Sequence, residues 1–193
     1  MKKQNSLFLA GCSFSLLFLA ICSYWQPFLI YGFPLIGLIV SFYLWRHAPS
    51  LINLKETSRK VDVYRSMVFL SAFVLVLFFL TFLLSYLPAY KEIAQDIRYF
   101  IMIFFVVMYG NNAPKIPFNK TLGLRVSWTL YDEATWRYAH RMIGYCSIPC
   151  TLWMIVTYIM KEQSWGYLGF ACLMALIPSI MSYVYNQRRE KKR

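Results

Sequence analysis

GNNAPKIPFNKTLGLRVSWTLYDEATWRYAHRMIG, from Gly110 to Gly144, is a polar passage lying between two strongly apolar stretches. A plain linker needs few special side chains. This one carries three glycines, three asparagines, two prolines, two tryptophans, a histidine and three arginines. Specific function is therefore to be read here first, while the apolar sequence on either side decides the class of fold.

Working outward, 59% of the 193 residues are hydrophobic and 15% are charged, a balance outside that of soluble globular domains. The chain reads as an all-α integral membrane protein. Crossing roughly 30 Å of hydrocarbon takes about twenty apolar residues, and a window of that length predicts six transmembrane helices, over 7–25, 28–45, 67–87, 93–110, 142–160 and 166–185. The fourth is the weakest, because its uninterrupted apolar run extends only from Tyr99 to Tyr109 and a full span takes in Asp96 and Arg98 or Asn111. Residues 1–193 are expected to form one polytopic domain. Within it, 1–96 holds three spans and a basic loop at 46–66, 97–185 holds spans four to six, and 186–193 is a basic tail.

With the N terminus inside, the loops on that side receive seventeen of the twenty Lys and Arg residues, leaving only Lys91, Arg98 and Lys161 outside. Positive loops stay on the side of synthesis, so both termini are expected to be cytoplasmic, in a bacterial plasma membrane. The passage then becomes a structured inner loop between helices 4 and 5. The net charge of +12 follows from this topology, and the run Arg188 to Arg193 adds attraction to the headgroups of membrane lipids, the first expected partner. Direct nucleic-acid binding is not expected, because the basic residues flank spans and form no single stripe. Leu9-Ala10-Gly11-Cys12 imitates a lipoprotein cleavage box, but the apolar run before it is too short for a signal peptide.

No catalytic residue, cofactor or metal is expected. The five cysteines, Cys12, Cys22, Cys146, Cys150 and Cys172, form no CxxC pair, and the two histidines, His47 and His140, have no neighbours at ligand spacing. Cys146 and Cys150 share a helix face and read as small packing residues.

Inside the passage, Gly110 can end the fourth span in a left-handed conformation, with Asn111 and Asn112 bonding the last carbonyls. Asn111 is otherwise a polar group whose burial needs a partner. Pro114 and Pro117 keep the next segment extended, and Asn119 with Gly123 supplies turn chemistry around Lys120 and Thr121. Arg125 either clamps a phosphate or carboxylate, or satisfies span-end carbonyls or an acidic partner. Helical spacing begins at Thr129, a candidate N-cap with Asp132 and Glu133 in the first turn. Glu133, Arg137 and Arg141 then pair along one face, while Trp136, His140 and Gly144 form a second stripe. His140 reads as a hydrogen-bonded structural residue or as a proton-transfer group.

The ordered series Gly110-Asn111, Asn119, Gly123-Leu124-Arg125, Trp128-Thr129-Leu130, Trp136, His140-Arg141 and Gly144 resembles the signature of the SdpI family of bacterial membrane immunity proteins. Leu124, Val126 and Ser127 depart from the family's commoner isoleucine, threonine and proline. The resemblance implies self-protection against a secreted antimicrobial peptide toxin and, for some members, a cytoplasmic transcriptional repressor held at the membrane. Two other classes stay open. One is a membrane enzyme or carrier for a lipid phosphate, with Arg125, Arg137 and Arg141 as clamp and His140 or Asp132 as base. The other is a structural or sensory component without immunity.

Overall fold

The computed structural model describes residues 33–119 and 121–191. The chain divides into two units, Met1–Val40 and Ser41–Arg193, and the described part of the first is the opening of helix α1 (Phe33–Arg46). The second unit contains α2 (Ala48–Leu51), α3 (Arg59–Leu84), α4 (Lys91–Asn112), α5 (Ser127–Leu130), α6 (Glu133–Ile159), α7 (Gln163–Ala171) and α8 (Ile177–Glu190). The described residues contain no strand.

Four stretches are long and apolar enough to cross a membrane: Arg59–Leu84, Pro88–Lys115, Glu133–Ile159 and Gln163–Glu190. The expectation of six transmembrane helices is thereby corrected to four among the described residues. The predicted span 7–25 lies outside those residues, as do Cys12, Cys22 and the cleavage-box sequence. Of the predicted span 28–45, residues 28–32 lie outside the described residues, and the rest falls in α1, whose 14 described residues rise about 21 Å at 1.5 Å each.

Local chemistry moves the span ends away from the apolar windows. α3 starts at Arg59 because Ser58 caps it, accepting from the Lys60 amide at 3.4 Å, with Asp62 in the first turn where negative charge suits the helix dipole. Pro88 lacks the N–H needed to extend a helix and opens a 3₁₀ turn, Pro88–Tyr90, before α4. α6 ends in a Schellman motif: the Lys161 amide donates to Tyr158 O at 3.0 Å and the Glu162 amide to Thr157 O at 2.8 Å. Lys161 occupies the left-handed position usually given to glycine, at φ 60°. A π-helical turn, Cys172–Leu176, joins α7 to α8, the Ile177 amide reaching back to Cys172 O. This wider turn makes room for the Pro178 ring.

α4 packs along α6 and α3, and α6 packs along α7 and α8. Their shared core includes Met67, Val74, Tyr99, Val106, Trp136, Ile143 and Met154, while large apolar side chains such as Phe69, Leu80, Phe100, Ile148 and Leu152 stay exposed on the outer faces, as lipid-facing helices require. Cys146 and Cys150 are buried and free. Gly110 does not end its helix. α4 runs through it to Asn112, whose Nδ2 donates to Met108 O at 2.8 Å, and a 3₁₀ turn Ala113–Lys115 follows. The glycine is needed for a close crossing instead: a Cβ on Gly110 would stand 2.1 Å from Ser147 Cβ, and one on Gly144 would stand 3.2 Å from Gly110 O.

Candidate functional site

The turn between α4 and α5 is folded by one side chain. Asn119 is buried, its Oδ1 accepting from the amides of Thr121 and Leu122 at 2.9 and 2.7 Å while its Nδ2 donates to Pro117 O at 2.7 Å. Every polar atom of the amide is thus used within the turn. Thr121 Oγ1 carries the turn to α3 through a 2.6 Å hydrogen bond with the Tyr64 hydroxyl. Lys120 lies outside the described residues.

The turn then docks on α6. Gly123 sits at φ 111°, a conformation that L side chains rarely adopt, directly against the rings of His140 and Trp136. A Cβ there would stand 2.2 Å from His140 Nε2 and 2.9 Å from Trp136 Cη2. The two rings are stacked, with centroids 4.0 Å apart, and both are buried. Trp136 Nε1 donates to Ile116 O at 3.4 Å, and Phe118 packs edge-on against the indole. His140 Nδ1 lies 2.9 Å from Trp136 O, a group that can only accept, and Nε2 accepts from the Leu124 amide at 3.3 Å. These partners hold the imidazole as the neutral Nδ1–H tautomer with no free nitrogen. Of the two readings of His140, the geometry matches the structural one.

A second set of contacts ties the last helix to the passage. Trp128 Nε1 donates to Ser182 Oγ at 3.0 Å, Thr135 Oγ1 lies 3.2 Å from Asn186 Oδ1, and Arg189 Nη1 bonds Asp132 Oδ2. Ser182, Asn186 and Arg189 follow one another at i, i+4 and i+7, so they line one face of α8. That stripe is a readable signal that the sequence reading missed by treating Arg189 as part of a lipid-seeking tail. The N-cap of α6 is Asp132, which accepts from the Thr135 amide at 2.9 Å, and not Thr129 as expected. Thr129 lies in α5 and is buried, its hydroxyl accepting from the Val126 amide and donating back to Leu124 O at 2.8 Å. Partial burial would raise the Asp132 carboxyl, but hydrogen bonds from Thr135 and Arg189 and the Arg189 charge hold it below the usual carboxylate range.

The remaining predicted site residues lie on the rim. Leu130 is half-buried at the end of α5. Asn111 is exposed, contrary to the expectation of a costly burial, and its Oδ1 is 3.5 Å from Lys115 Nζ. Arg137 pairs with Glu133. Arg125 and Arg141 are exposed and make no hydrogen bond or ion pair among the described residues. The lipid-phosphate arrangement is not assembled: Arg137 is paired, Asp132 is held by Arg189 and Thr135, and both nitrogens of its other candidate base, His140, are occupied.

Among the described residues, no buried side-chain nitrogen or oxygen is left without a hydrogen-bond partner. Residues 115–183 match the SdpI/YfhL protein family. The chain is therefore a membrane protein related to the SdpI/YfhL family through the turn between α4 and α5, α5, α6, α7 and part of α8. The matched region contains Asn119, Gly123, Arg125, Trp128, Thr129, Leu130, Trp136, His140, Arg141 and Gly144, and begins after Gly110 and Asn111. No curated protein and no solved structure matches the chain.

Proposed function

We propose that the chain is an SdpI-like immunity protein of the bacterial plasma membrane, protecting the cell that makes it from a secreted, membrane-active killing peptide. The observation that carries this reading is the family match over residues 115–183. The side of the membrane that holds Arg125, Arg137, Arg141 and the basic end of α8 is read as cytoplasmic. On the other side, the connections between α3 and α4 and between α6 and α7 are short, so a hydrophobic peptide would be intercepted among the spans. The same basic side, with Arg125 exposed and without a hydrogen bond or ion pair among the described residues, would hold a transcriptional repressor while toxin is present.

The test is expression of the chain in a sensitive strain followed by challenge with the secreted peptide. Survival well above that of cells carrying an empty vector is expected, with protection reduced in Arg125→Ala and Trp128→Ala variants inserted at normal levels. If cells holding normal amounts of the inserted wild-type chain die like the vector control, the immunity reading fails. Full protection by both variants would remove the inner passage from the mechanism.

A further inference from the structure

A groove of about 650 Å³ runs between α4 and α6, its lining including Val107, Asn111, Arg141, Tyr145, Ile148 and Leu152. The close crossing at Gly110 and Gly144 forms its floor. Its chemistry changes along its length. Asn111 and Arg141 lie at the inner end, Tyr145 is one turn further along α6, and Val107, Ile148 and Leu152 lie beyond, exposed by 46, 67 and 60%. The two aliphatic hydroxyls in the wall are already used by their own helix: Ser147 donates to Gly144 O at 2.7 Å and Thr151 to Ser147 O at 2.8 Å. The deep part of the groove therefore suits an apolar occupant.

From these features we infer that the groove holds one acyl chain of an anionic glycerophospholipid, with the phosphate at Arg141. From Arg141 to Leu152 the helix rises about 16 Å, close to half of the roughly 30 Å hydrocarbon thickness, which is the depth of one leaflet. Arg141 has no hydrogen bond or ion pair among the described residues, so its guanidinium is available for bidentate contact with phosphate oxygens. Lys115, which reaches Asn111 Oδ1 at 3.5 Å, places a second cation at the same end. Arg137 is neutralised by Glu133 and adds little. A zwitterionic headgroup would bring its own cation toward Arg141 and Lys115, so the site favours a net negative lipid. Tyr145, 69% exposed, sits where an aromatic ring meets the headgroup boundary. This inference does not depend on the immunity reading.

The experiment is native mass spectrometry of the full chain in mild detergent, supplied with equal amounts of phosphatidylglycerol and phosphatidylcholine. The wild type is expected to retain one phosphatidylglycerol in preference. Arg141→Gln should lower that preference about fivefold, the factor for one near-surface basic residue. Ile148→Trp, which fills the groove from an exposed position, should lower retention of both lipids. Equal retention of the two lipids by the wild type, or wild-type behaviour of either variant, overturns the inference.

Discussion

Replacing Gly123 by alanine puts the docking of the turn between α4 and α5 on α6 to a direct test. The substitution adds one methyl group, and it meets two separate penalties. The first is conformational: a residue with a side chain held at φ 111° costs about 1–3 kcal/mol. The second is steric. The new Cβ would stand 2.2 Å from His140 Nε2, and His140 cannot withdraw without releasing the Leu124 amide, its partner at 3.3 Å. Leaving that donor without an acceptor costs about 1–3 kcal/mol. Together these predict a loss of about 2–6 kcal/mol, a large share of the roughly 5–15 kcal/mol typical of a folded domain.

Unfolding in mild detergent, followed by intrinsic tryptophan emission, measures the total, and a double-mutant cycle with His140→Ala separates the two penalties. Removing the imidazole takes away the closest clash but leaves the backbone strain and the 2.9 Å approach to Trp136 Cη2. Gly123→Ala should therefore cost about 1–3 kcal/mol less in the His140→Ala background than in the wild type. An unfolding midpoint for Gly123→Ala equal to that of the wild type refutes both penalties. A strictly additive cycle refutes the contact with His140 while leaving the strain.

Asp132→Ala should lower stability by about 0.5–2 kcal/mol through loss of the α6 N-cap, seen as an earlier unfolding midpoint. Because the folded-state pKa of Asp132 is depressed relative to about 3.9 when unfolded, its stabilisation is present above that pH and is lost as pH falls through the folded value. An acid titration below pH 5 should therefore show a smaller loss of stability for Asp132→Asn than for the wild type. Trp128→Phe and Ser182→Ala should each cost about 0.5–1.5 kcal/mol, and the double variant should cost less than their sum, because both remove the same hydrogen bond. Lys161→Gly should raise stability by about 1 kcal/mol, since glycine takes the left-handed position at the end of α6 without steric cost; an unchanged or lower midpoint would refute this.

The helical stripe Trp136, His140, Gly144 is legible in the sequence because a single helix fixes its spacing, and the three residues do share one side of α6. The Glu133–Arg137 pair is legible for the same reason. The span count is less so. A hydropathy window measures apolar content and is blind to where capping starts a helix, so it missed the start of α3 at Arg59 and of α6 at Glu133. Gly110 misled because glycine has two uses near a helix end: it relieves a left-handed residue or admits a neighbouring helix. Only the position of Ser147 decides between them. The Asp132–Arg189 pair joins residues 57 apart, a separation no local periodicity reveals, although the polar stripe on α8 marks the face that needed a partner.

The density of tryptophan, histidine, asparagine and arginine in the passage raised the question of whether these side chains bind a ligand or hold one another. Hydrogen-bonding capacity answers it residue by residue. Asn119 uses its carbonyl and amide within its own turn, His140 uses both ring nitrogens, and Trp128 and Trp136 each donate their single N–H to a neighbour. A side chain so occupied can offer a ligand only its apolar surface, and His140 and Trp136 are buried as well. These residues build a rigid platform. Arg125 and Arg141 differ, because each ends in a charged fork that is exposed and without a hydrogen bond or ion pair among the described residues. Under the proposed function, binding by the passage would rest on these two arginines, and replacing either should change binding without moving the unfolding midpoint, the reverse of the effect expected at Gly123 or His140.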